Sequence, residues 1–186
     1  MKRPPDMPRT SQTHPLQIAG INMPGGGRIG LTFCPGKQDP QAMTGAWSRD
    51  LAADLAAIRD WGGNILLTLM ESHELAALGV PDLGCKAELL GLEWHHLPIR
   101  DACVPDARFE SLWPSVCPRL QNALGQGGSV VIHCKGGLGR TGLVAGLLLV
   151  EQGMSPTAAL NRVRSARPGA VETEAQAQYL LHAGLA

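Results

Sequence analysis

The sequence has no excess of charge of either sign: sixteen Lys and Arg face sixteen Asp and Glu over 186 residues. Such a balance supplies no global field for nucleic acid or an anionic membrane, so affinity for an anion has to come from a local site. A long apolar run is also missing. The longest, Gly142 to Val150, is too short to span a bilayer. The charged, proline-rich stretch MKRPPDMPRTSQTHP holds no apolar core of a secretory signal. The expectation is a cytoplasmic protein without stable membrane association and without a nucleic-acid partner. The five cysteines form no Cys-x-x-Cys pair and no metal-ligand spacing, and His73-Glu74 lacks the second histidine of a zinc helix. Their odd number argues for reduced thiols, four of them small core hydrophobes. Gly25 to Gly30 matches a dinucleotide-loop pattern, but Pro24 precedes it and a strand-like run follows, which makes it a turn. No linker, repeat or low-complexity block interrupts the chain. Residues 1–15 read as a flexible tail and 16–186 as one domain.

What is present is globular in balance, 44% hydrophobic and 17% charged. Ile29–Phe33, Asn64–Met70, Glu93–Ile99 and Ser129–Cys134 read as strands. Helical spacing of Trp47, Leu51, Leu55 and Ile58 predicts an amphipathic helix stopped at Gly62-Gly63. Short helices are expected near 71–78 and 84–91. The stripe Phe109, Leu112, Val116, Leu120, Leu124 predicts another, with Pro114 and Pro118 imposing a kink or a late start. Leu138–Gln152 is an apolar helix. Ser155-Pro156 opens the next, and Thr173 with Gln176 forms a capping box for the last. Strands alternating with helices give an α/β fold: a central, largely parallel twisted sheet flanked by helices.

Chemistry concentrates in His133-Cys134-Lys135-Gly136-Gly137-Leu138-Gly139-Arg140-Thr141-Gly142. A strand delivers a cysteine into a glycine-rich loop that opens straight into a helix. Successive backbone N–H groups and the positive end of the helix dipole make such a loop a pocket for a phosphate-sized anion. The same field favours the thiolate of Cys134, the nucleophilic form. Arg140, six residues on, can come round the loop and hold two oxygens of a phosphoryl group in its planar fork. Thr141 can donate to the departing thiolate. A leaving alkoxide or phenoxide needs a proton. Asp101, in the loop after a strand, can supply it, because a bound phosphate favours its protonated form. Asp106 in the same loop is a second candidate.

These residues resemble the His-Cys-x5-Arg-Thr signature of the protein tyrosine and dual-specificity phosphatases. The loop itself is similar to that of the mitotic-exit cell-division-cycle branch. Ile29–Gly36, His95–Asp101 and Arg167–Gln176 resemble the cyclin-dependent-kinase-associated branch. The resemblance, over roughly residues 16 to 182, implies two-step hydrolysis of a phosphorylated protein with no metal or cofactor. Cys134 would be the nucleophile, Arg140 the clamp, Asp101 the general acid and Gln176 a water-positioning residue. His133 would order a phosphate-binding loop running from Cys134 through Lys135, Gly136, Gly137, Leu138 and Gly139 to Arg140. Lys135 is similar to a basic residue of phosphoinositide phosphatases, whose second lysine is here Leu138. Lipid hydrolysis is therefore an alternative, alongside a phosphoprotein-binding pseudophosphatase and a rhodanese-like sulfur transferase. Gln176 is also explained by its capping box alone. The sequence leaves the oligomeric state open.

Overall fold

Strands buried on both faces read as unbroken apolar runs, and such runs belong at the centre of a parallel sheet. The computed structural model, which describes residues 7–184, places them there. In chain order the elements are β1 (Ala19–Asn22), β2 (Arg28–Phe33), β3 (Gln38–Asp39), β4 (Trp47–Ser48), α1 (Leu51–Asp60), β5 (Ile65–Thr68) and α2 (Ser72–Ala77). There follow α3 (Leu83–Leu89), β6 (Glu93–His96), α4 (Ala107–Gly125), β7 (Ser129–Cys134), α5 (Gly139–Glu151), α6 (Pro156–Ala166) and α7 (Glu174–Leu181). The main sheet has the order β1-β2-β7-β5-β6. β7 runs parallel to β2 and β5, β5 parallel to β6, and only the edge strand β1 is antiparallel. A small hairpin, β3 with β4, stands apart from it.

Every residue of β5 and β7 is buried, whereas β6 at the edge is half-buried throughout. α5 follows β7 directly and is buried from Gly139 to Leu149, with α6 and α7 packed against it. The sheet's parallel strands thus end together, and the loop from β7 to α5 emerges at their carboxyl ends. That is where open α/β sheets place ligands.

Three expectations are corrected. α4 does not start late: it begins at Ala107, ahead of both prolines, and continues through Pro114 and Pro118, with Asp106 as its N-cap accepting from the N–H groups of Arg108 and Phe109. Both prolines lie on the exposed face, so the carbonyls they leave unpaired reach water while Phe109, Cys117, Leu120 and Leu124 keep the buried face. Trp47 belongs to β4, not to α1, whose N-cap is Asp50. Of the tail expected at 1–15, residues 1–6 lie outside the described residues, but 9–14 are pinned. Arg9 exchanges backbone hydrogen bonds with Ala46 and Ser48, and its guanidinium lies over the Trp47 ring. The anchor beneath is a buried ion pair: Arg49 makes a two-pronged contact with Asp54 (2.7 and 2.8 Å) and donates to the carbonyl of His14 (2.7 Å). Asp54 also accepts the N–H of Gly36 at 2.8 Å. Arg49 and Asp54 are close in sequence, but His14 and Gly36, which they hold, are remote, so local composition gives no sign of the anchor.

Candidate active site

β7 carries His133 and Cys134 to the end of the sheet, with Cys134 in register with Phe33 of β2. Cys134 is 3% exposed, and the N–H of Gly137 donates to its Sγ at 3.2 Å. Gly137 has φ +71°, and a Cβ there would lie 2.3 Å from the carbonyl oxygen of Thr32. Only glycine fits so close to the neighbouring strand. Gly136, by contrast, faces open space, so its role is not steric. Leu138 caps α5, and its carbonyl accepts from Gly142 at 2.8 Å. Thr141 is fully buried and its Oγ1 has no partner among the described residues.

His133 is fully buried, and its Nε2 lies 2.8 Å from Thr68 Oγ1, which accepts from the Trp94 indole at 2.9 Å. The hydroxyl is satisfied when it donates to Nε2, which leaves the imidazole proton on Nδ1. Burial pushes the pKa down to about 3, so the ring is neutral and acts as a spacer rather than a charge.

Arg140 is the best-held side chain of the site. It is 1% exposed, and Glu74 of α2 takes its fork in two bonds of 2.7 and 2.9 Å. Nη1 also donates to the carbonyl of Ile99 at 3.0 Å, and Nη2 lies 2.8 Å from Asp101 Oδ1. Burial, the largest single influence, would raise the pKa of Glu74, but the hydrogen bond and charge of Arg140, the N–H of Glu71 and the charge of His73 together outweigh it and hold the carboxyl below its ordinary range. Nε of Arg140 has no partner among the described residues. The structure therefore sets Asp101 against Arg140, on the segment from β7 to α5 that also carries Cys134 and Thr141. It gives Asp106 to the cap of α4 instead, which separates the two carboxylates in position.

Gln176 is buried beside the loop, and its Nε2 donates to the carbonyl of Cys103, tying α7 to the segment that carries Asp101. Its Oε1 closes the capping box with the N–H of Thr173 at 3.3 Å. Lys135 is exposed, 3.7 Å from Asp39.

Three residues of the site were not singled out from sequence. Glu74 is one; its only local signal is the Glu71-x-x-Glu74 cap of α2, in which its carboxylate accepts the N–H of Glu71 at 2.8 Å. Glu172 is the second, accepting the N–H of Gly139 at 2.9 Å. Arg167 is the third, donating to the carbonyl of Gly136 at 3.2 Å. Among the described residues, the two non-glycine residues with positive φ are Ala102 (56°) and Val171 (59°), neighbours of Asp101 and Glu172. For valine this is costly backbone, of the kind that persists at functional sites because surroundings enforce it. A cleft of about 300 Å³ opens over this corner, lined by Lys37, Asp39, Asp101, Lys135 and Glu172 among others. A larger cleft of about 600 Å³, by Phe109, Trp113 and Tyr179, lies away from the loop.

Among the described residues no group of three or more His, Cys, Asp or Glu is placed to hold a metal, and no helix is long and apolar enough to cross a membrane.

Residues 42–154 match the family model Tc-R-P, described as a polymorphic toxin system DSP-PTPase phosphatase. The chain is 33% identical over 134 residues to cyclin-dependent kinase inhibitor 3 of Mus musculus, covering 71% of this chain and 62% of that protein. It thus spans about three-fifths of the length of that relative. A probable protein tyrosine phosphatase type IVA B of Dictyostelium discoideum is 36% identical over 87 residues, 45% of this chain and 52% of that one. Among solved structures, kinase associated phosphatase with its catalytic-site cysteine replaced by serine superposes with a TM-score of 0.78 at 27% identity, over 90% of this chain and 93% of the other. The active form of Tk-PTP gives 0.62 at 29% identity, over 82% and 90%.

Proposed function

Because the chain belongs to the dual-specificity protein tyrosine phosphatase family, we propose that it hydrolyses phosphate monoesters on protein side chains through a phosphocysteine at Cys134. The observation that carries this reading is the fixed geometry of Arg140. Its fork is buried and locked by Glu74, on the same short loop as a cysteine whose Sγ already accepts a backbone N–H.

In the first step the Cys134 thiolate attacks phosphorus and the P–O bond to the substrate breaks. Loop N–H groups and Arg140 hold the equatorial oxygens, where charge is spread in the transition state. Asp101, at the rim and in contact with Arg140, protonates the leaving oxygen. In the second step water attacks the phosphocysteine, Asp101 takes its proton, and the thiolate leaves with Thr141 donating to it. Gln176, anchored between Thr173 and Cys103, lies beside Gly139 and is suited to positioning that water. His133 keeps the strand-to-loop turn in register and takes no proton.

Phosphotyrosine is the proposed substrate, with phosphoserine and phosphothreonine also accepted. Lipid hydrolysis is less well supported: Lys135 is engaged with Asp39, and Asp39, Asp101 and Glu172 line the mouth. Hydrolysis of para-nitrophenyl phosphate across pH 4 to 8 tests the reading. Turnover should vanish in Cys134→Ser and fall roughly 10²–10⁴-fold in Asp101→Ala. Chelators should leave it unchanged. Turnover surviving Cys134→Ser would overturn it, and binding of phosphopeptide without turnover would favour a pseudophosphatase.

A further inference from the structure

Lys37 sits between the end of β2 and the β3–β4 hairpin, and it is 6% exposed although it carries an ammonium group. Its Nζ lies 4.2 Å from the centroid of the Trp47 ring and 5.0 Å from that of Phe33, the register partner of Cys134. Among the described residues it has no ion-pair partner within 4.0 Å, and its Nζ makes no hydrogen bond to protein. Burial lowers its pKa, and the nearby cations Arg49 and Lys135 lower it further, while Cys34 and Asp39 act the other way. Its stem is buried but its Nζ is not closed off from solvent, so the ammonium opens on a cleft with no protein counter-ion, and aromatic faces replace only part of its hydration.

Lys37 lines the same cleft as Lys135, Asp101 and Glu172. The three carboxylates there are already engaged: Asp39 by Lys135 at 3.7 Å, Asp101 by Arg140 at 2.8 Å, and Glu172 by the N–H of Gly139 at 2.9 Å. Lys37 is the charge left over. We propose that Lys37 forms an anion subsite beside the catalytic loop, which takes a second phosphate or a carboxylate on the same substrate peptide. An extended peptide advances about 3.3 Å per residue and returns to the same side every second residue, so a second anion two residues away faces the same cleft as the phosphorylated side chain. A peptide suits the site better than a lipid surface, because the three carboxylates at the mouth repel a densely anionic membrane. The subsite rests on the phosphatase reading for its neighbour, but not for its own chemistry.

Binding to the Cys134→Ser chain, measured by calorimetry, tests it without turnover. Three peptides are compared: phosphotyrosine alone, and the same with phosphoserine two residues before or after it. One doubly phosphorylated peptide should bind about tenfold tighter than the single one, as expected for a close charge pair. Lys37→Met, which keeps the apolar contact with Phe33 and Trp47, should reduce that advantage to about twofold or less, and Lys37→Arg should retain it. No advantage in the Cys134→Ser chain overturns the proposal whatever the Lys37 variants do, as does an advantage that survives Lys37→Met. A soluble inositol bisphosphate preferred over its monophosphate, with no preference among the peptides, would overturn the peptide assignment. If para-nitrophenyl phosphate is hydrolysed while the peptide preference is absent, the subsite alone fails. If hydrolysis is absent, the phosphatase reading fails and the binding result still stands.

Discussion

Arg140 keeps its charge at 1% exposure because Glu74 lies across its fork and the carbonyl of Ile99 takes a third donor. A guanidinium so fixed has little rotamer freedom left to lose when it meets a phosphoryl group. Glu74→Gln would keep the shape and remove a charge-assisted bond. Such bonds are worth about 1.5–3 kcal/mol, so kcat/KM for an aryl phosphate should fall roughly 10–100-fold with the melting temperature lowered only modestly. An unchanged kcat/KM would show that Arg140 positions itself without Glu74. His133 makes a prediction in pH. Its folded value of about 3 lies below the ordinary 6.5, so as pH falls the unfolded chain takes up the proton first. The stability it contributes is complete above pH 6.5 and drains away down to about pH 3, on the order of 1 kcal/mol per pH unit in between. Denaturant titrations at several pH values should show a shallower acid slope for His133→Gln than for the natural chain. At this scale Cys134 and Arg140 were legible because their spacing is short and local. Glu74 was not, because it lies 66 residues from Arg140 and its own neighbourhood announces only a helix cap.

Among the elements, α4 shows how burial overrides a local rule. Two prolines four residues apart fall on one exposed face, so the helix gives up hydrogen bonds only where water replaces them. Sequence periodicity had Phe109, Leu120 and Leu124 on the buried face but also counted Leu112, which is exposed, and it could not tell that the prolines share the solvent side until the helix was docked. The β3–β4 hairpin and residues 9–14 were illegible for another reason. Both depend on a buried pair, Arg49 with Asp54, each about 1% exposed or less, whose members look like ordinary surface charges in a helical pattern. Asp54→Ala should destabilise the fold by about 3–5 kcal/mol, since it strands a buried guanidinium. Limited proteolysis should then cut within residues 9–14 faster than in the natural chain. A loss below about 1 kcal/mol would mean that Arg49 finds water on its own.

For the molecule as a whole, the α/β architecture followed from alternating strands and helices, and from the apolar runs Ile65–Leu67 and Val130–Ile132 at the centre of β5 and β7. The strand order did not, because pairing of β7 between β2 and β5 joins segments far apart in the chain. That order sets the site. It brings the ends of β2, β7 and β5 side by side, so that Lys37 beyond β2, Cys134 at the end of β7 and Glu74 on α2 beyond β5 gather near the Asp101 loop. The central claim is covalent. Rapid acid quench of the chain during hydrolysis of para-nitrophenyl phosphate, followed by mass spectrometry of its proteolytic peptides, tests it directly. The account predicts a phosphoryl group on the peptide containing Cys134, formed within the first turnover and absent in Cys134→Ser. Burst release of nitrophenol with no modified cysteine, or a phosphoryl group on any other residue, would contradict it.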